Sequence, residues 1–130
     1  VDVDTNKSIE QIHDLPTESP SFGSGLVDSA LRFVKKPLRE LKPSEIRLLI
    51  SQQIGLTSLV PIAVHLLEEN PLLETEYYPG DLLRAVVTIE RAFWASNEEL
   101  HRKVLSVLES ILEPPQEIIS DIERFKSAPP

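Results

Sequence analysis

Few side chains in this chain could do chemistry, and their types and spacing exclude most of what they might do. His13, His65 and His101 are its histidines, and it has no cysteine. A zinc site needs ligands at turn or helical spacing, and neither a His-x3-His pair nor a thiolate is present. Thiol redox chemistry and a disulfide framework go with the cysteines. Gly23-x-Gly25 and Gly80 lack the strand–turn–helix setting of a phosphate loop or nucleophile elbow. His65 lies on an otherwise apolar segment and reads as a core histidine ahead of an acid–base group, because spacing ties no nucleophile to it. The residues therefore imply no metal and no cofactor.

Paired carboxylates are the remaining catalytic option. Glu74 and Glu76 could support a small hydrolase if one of them were buried enough to serve as an acid, and nothing around them in the sequence suggests burial. The same segment, Glu74-Thr75-Glu76-Tyr77-Tyr78-Pro79-Gly80-Asp81-Leu82-Leu83, has two other readings. As a connector, its tyrosines shield the core, Pro-Gly makes the turn and Asp81 caps the next helix. As a recognition loop, tyrosines supply contact area at low entropic cost and the carboxylates suit Arg or Lys on a partner. The two roles are compatible, with Gly80 and Asp81 structural and Glu74, Glu76 and one tyrosine exposed.

Charge distribution leans toward binding. The net charge is −8, and no Lys or Arg lies between Arg47 and Arg84, where Glu68, Glu69, Glu74, Glu76 and Asp81 all fall. Such a stretch can be a plain solvated face. It also matches a basic partner, which it would meet rapidly through electrostatic steering. Binding a nucleic-acid backbone directly needs a cationic face, so nucleic acid is not the expected partner. The longest apolar run, Leu59 to Val64, is too short to span a bilayer. Residues 1–20 are acidic, without the positive start and apolar stretch of a secretory signal.

The elements that must position these residues are all helical. Ser8 caps a short turn with Ile9, Ile12 and Leu15, and Thr17–Gly25 reads as a loop expected to pack on the body. A helix is predicted over Leu26–Lys36, then a tight turn over Pro37–Leu41. Pro43 suits the first position of a helix carrying Ile46, Leu49, Ile50 and Ile54, with Gly55 as its left-handed cap. Thr57 or Ser58 opens a nearly all-apolar, central helix with Pro61 in its first turn, ended by Asn70-Pro71. Asp81 opens a helix to about Trp94 with Leu82, Val86, Ile89 and Phe93 inward. Ser96 and Glu99 have the form of a capping box for a helix through Leu112, which carries Leu100, Val104, Val107, Leu108 and Ile111 inward. Ile118, Ile122 and Phe125 define a last amphipathic helix. At 130 residues the expectation is a compact, single-domain, all-α bundle of about six helices, with an N-terminal arm (1–25) on a helical domain (26–130).

Three stretches of this chain together resemble the immunity proteins of contact-dependent growth inhibition (CDI) systems. They are Lys36-Pro37-Leu38 with Leu41, the run from Glu45 through Gly55-Leu56 to Pro61, and Asn70-Pro71-Leu72 through Tyr77-Tyr78-Pro79-Gly80-Asp81-Leu82-Leu83. Phe93-Trp94 also fits, so the likeness covers roughly residues 26–94. It implies a cytoplasmic antitoxin, not an enzyme, that binds the C-terminal toxin domain of a CDI effector. Toxins of these systems are commonly nucleases, and a basic nuclease cleft would match the acidic stretch. The expected complex is one-to-one, with Glu68, Glu69, Glu74, Glu76, Tyr77 and Tyr78 as partner-binding residues, a blocked active site, and neither nucleic acid nor membrane contacted directly. The alternative is a helical adaptor or homo-oligomeric subunit whose acidic surface serves solubility.

Overall fold

Pro43 begins the first long helix, as its fixed φ and missing N–H favour. In the computed structural model, which describes residues 6–9 and 33–127, six α-helices follow one another. They are α1 (Pro43–Ser51), α2 (Leu56–Glu69), α3 (Asp81–Val87), α4 (Arg91–Ala95), α5 (Glu98–Glu109) and α6 (Ile119–Ser127). A 3-10 turn, Leu38–Glu40, precedes them. The described residues contain no strand, only the isolated bridges Ser8–Pro37 and Glu74–Pro79. The fold is all-α and compact. No helix among the described residues is long and apolar enough to cross a membrane.

The core lies where α1 packs on α2 and α3, α2 on α3 and α5, and α3 on α6. Ile46, Leu49 and Ile50 of α1 meet Leu59, Val60, Ala63, Val64 and Leu67 of α2, with Leu82, Leu83 and Val86 of α3. Ile118, just before α6, and Ile122 and Phe125 on it seal the core, as their spacing predicts. At the other end, Glu45 accepts a hydrogen bond from the Lys42 N–H at 2.9 Å and pairs with Lys36 at 2.9 Å. Burial alone would raise the Glu45 carboxyl pKa. The Lys42 N–H and the Lys36 ammonium outweigh it and leave the group below its ordinary value.

The structure corrects several predicted boundaries. The expected helix 26–36 and loop 17–25 lie outside the described residues, apart from residues 33–36, where Lys36 N–H closes a turn on the Phe33 carbonyl. Helix α1 stops at Ser51, before Ile54. Its left-handed closing residue is Gln53 (φ 59°), with Gln53 N–H on Ile50 O and Ile54 N–H on Leu49 O. Gly55 (φ 65°) instead opens α2, against Ile9, whose Cδ1 would lie 2.9 Å from an added Cβ. Pro61 therefore sits inside α2, in its second turn, and forfeits an intrahelical bond there. The predicted 81–94 helix is two. The β-branched run Val86-Val87-Thr88-Ile89 breaks it, with the Thr88 hydroxyl donating to the Arg84 carbonyl at 2.8 Å. Ser96 belongs to the end of α4, and Asn97 is the N-cap residue of α5, so the capping box does not form. Helix α5 ends at Glu109 and leaves Leu112 exposed.

Candidate protein-binding site

The chain between α2 and α3 is the acidic, tyrosine-bearing segment, and a single buried carboxylate organises it. Gly80, with φ 90°, turns the chain into α3 and is the N-cap residue. Asp81, expected to cap that helix through its side chain, is its first residue and turns back. Its Oδ1 accepts the Thr75 N–H at 2.9 Å. Its Oδ2 accepts the Thr75 hydroxyl at 2.8 Å and the Glu76 and Tyr77 N–H groups at 3.0 Å each. The loop backbone forms a nest of N–H groups whose anion comes from the chain itself. Burial pushes the Asp81 carboxyl pKa up, but these donors together hold it below its ordinary value.

Arg47 of α1 completes the arrangement. Its Nε is 3.9 Å from Asp81 Oδ2, its Nη2 is 3.4 Å from Glu76 Oε2, and its guanidinium carbon lies 4.7 Å from the Tyr77 ring centroid. Tyr77 is 62% exposed, so its backbone and one ring face are held while the rest of the ring meets solvent. Tyr78 is half-buried, and its hydroxyl accepts from Arg84 Nη1 at 3.1 Å. Arg84 in turn reaches Asp121 of α6 at 3.2 Å. The two arginines that bracket the acidic stretch in sequence thus converge on it in space. Asp81 is neutralised internally and Glu76 in part, while Glu68 and Glu74 have no ion pair among the described residues.

The sequence-predicted residues do not all meet on one face. Tyr77 and Tyr78 line a crevice with Arg47, Ser51 and Arg84. Glu68 instead lines a groove of about 490 Å³ between α2 and α5, with His65, Glu98, Glu99 and Lys103. Glu69 is exposed and lies 3.4 Å from His65 Nε2. Glu74 and Glu76 are both exposed, without the water-excluding setting that the hydrolase reading requires. His65, read as a core histidine, is exposed on the face of α2 that carries Glu69. Among the described residues the buried histidine is His101, whose ring lies 4.9 Å from that of Phe125 and 6.0 Å from that of Trp94. Its position three residues before Val104 and seven before Leu108 places it on the inner stripe of α5, a signal the sequence did contain. Arg47 carried no such signal.

Residues 11–104 match the family described as CDI immunity proteins. The chain belongs to that family. The match covers most of the chain, including Arg47 and the whole loop around Asp81, and it stops within α5, before α6. A CDI immunity protein binds and neutralises a cognate toxin protein, and this chain shares that role. No match was found among curated proteins.

Proposed function

We propose that this CDI immunity protein neutralises a basic nuclease toxin domain in the cytoplasm by covering its active site, in a one-to-one complex without turnover. Glu68, Glu69, Glu74, Glu76, Tyr77 and Tyr78 are the contact residues of this reading. The observation that supports it best is Tyr77, an exposed aromatic whose backbone is held by Asp81 and whose ring is backed by Arg47. An aromatic ordered before binding loses little further entropy on docking, which is how a few side chains come to dominate an interface. Glu74 and Glu76 beside it suit the cationic surface with which a nuclease holds phosphates.

Association kinetics with the cognate toxin domain test this. Glu74→Lys with Glu76→Lys should slow association and flatten its salt dependence, and Tyr77→Ala should speed dissociation. Unchanged rates across the salt titration would remove this loop from the interface. One observation favours the homo-oligomer alternative: Leu112, 93% exposed after α5. A concentration-dependent sedimentation coefficient that Leu112→Ser abolishes would support it.

A further inference from the structure

A second polar centre lies away from the loop, where the break between α3 and α4 meets α5 and α6. A cavity of about 180 Å³ opens there, lined by Trp94, His101 and Arg91 with the apolar walls Val87, Ile89 and Phe125. Trp94 is 3% exposed, and its indole Nε1 is buried without any protein acceptor among the described residues. Leaving such a donor unpaired costs about 1–3 kcal/mol, which an acceptor that reaches it from the cavity would recover. The His101 ring makes aromatic contacts but no hydrogen bond among the described residues. Arg91 likewise has neither ion pair nor hydrogen bond among them.

We propose that this cavity is a binding site for a carboxylate, held by the Trp94 indole N–H, the His101 ring and the Arg91 guanidinium. The charges around it select that chemistry. Asp121 also lines the cavity, but it is already matched by Arg84 at 3.2 Å and Arg124 at 3.7 Å. The charges that line the cavity, Arg91 and Arg124 against Asp121, leave one positive charge in excess, enough for one negative charge. Burial lowers the His101 pKa, against a weaker opposing pull from Glu98, so the ring is neutral near pH 7 and offers one N–H. One cation and two neutral donors suit a monoanion. A phosphate dianion would enter apolar walls with half its charge unmatched, which is far more costly. The cavity is independent of the toxin-binding loop and goes beyond that reading. It shares no residue with the Arg47–Tyr77 crevice except Thr88.

Trp94 is the only tryptophan of the chain, so the full-length 15N-labelled protein gives a single indole N–H signal. Sodium acetate, titrated against sodium chloride at equal ionic strength, should move that signal saturably while chloride does not. Arg91→Gln, an exposed position, should weaken acetate binding by about tenfold, the value of one charge-assisted hydrogen bond. An acidic side chain of a bound toxin offers the same chemistry as a free carboxylate. An indole shift on adding toxin domain in acetate-free buffer, abolished by Arg91→Gln while the complex persists, assigns that source. Saturation by acetate with toxin leaving the signal unmoved assigns a free ligand. Identical responses to acetate and chloride with no shift on adding toxin, or acetate affinity unchanged in Arg91→Gln, would overturn the proposal.

Discussion

The loop around Asp81 and the cavity around Trp94 treat buried polar groups in opposite ways. At Asp81, one carboxylate receives four donors from three consecutive residues, and only Arg47 Nε, 3.9 Å from Oδ2, is left there without a hydrogen bond. At Trp94, a buried donor has no protein acceptor among the described residues, and Arg91, which lines the same cavity, has no partner among them. A satisfied centre holds a shape, and here the shape is a loop that presents Tyr77. An unsatisfied one loses stability in the free protein and regains it on binding. Arg84 links the two centres, touching Tyr78 on one side and Asp121 on the other, and Thr88 lines both.

The sharpest way to break the comparison is to empty the first centre. Asp81→Ala leaves the N–H groups of residues 75–77 without their anion and the Arg47 guanidinium with Glu76 alone, and should cost about 3–5 kcal/mol in urea unfolding. A loss below about 1 kcal/mol would mean that the carboxylate does not organise the loop. Next comes Gly80→Ala, where φ is 90° and a Cβ would lie 3.0 Å from Ile118 Cδ1. Strain and crowding together should cost about 2 kcal/mol by the same measurement.

The smallest effect belongs to the second centre and depends on pH. His101 has a folded-state pKa below its ordinary 6.5, so the unfolded chain takes up the proton first. Stability should be flat with pH above that value and fall as pH drops from 6.5 toward the folded pKa. Glu98, Arg91, Asp121 and Arg124 face the same region and are the charges that modulate it. His101→Gln should remove this slope, and a slope that survives the substitution would assign it to another group. A second fall begins below 4.5 with Glu45 and deepens below 3.8 with Asp81, as each protonates in the unfolded chain while its folded carboxyl, held lower, stays ionised.

Helix content and the candidate recognition segment were legible in the sequence because both rest on local rules. Pro43 starts a helix, Asn70-Pro71 ends one, and the spacing of Ile46, Leu49 and Ile50 or of Ile118, Ile122 and Phe125 defines a buried stripe wherever the helix is placed. Gly55 has the left-handed backbone its residue type favours, but it opens α2 while α1 closes on Gln53, because a cap depends on where the helix stops as well as on which residue tolerates the geometry. His65 was misread for a related reason. An almost wholly apolar segment gives no strong indication of which side faces out, and the packing of α3 and α5 on α2 decided that.

By itself, the sequence determined an all-α protein, its principal core residues, its family and the exposed, acidic, tyrosine-bearing character of the segment before α3. Periodicity, proline placement and charge are written residue by residue, and they survive any arrangement of the helices. Only the tertiary structure decided that Asp81 turns back into the loop, that Arg47 crosses from α1 to support Tyr77, and that Trp94 and His101 share a cavity with Arg91. Those facts depend on groups brought together by packing across helices or around a turn. Hydrogen bonding and burial set their energies only after the chain has folded.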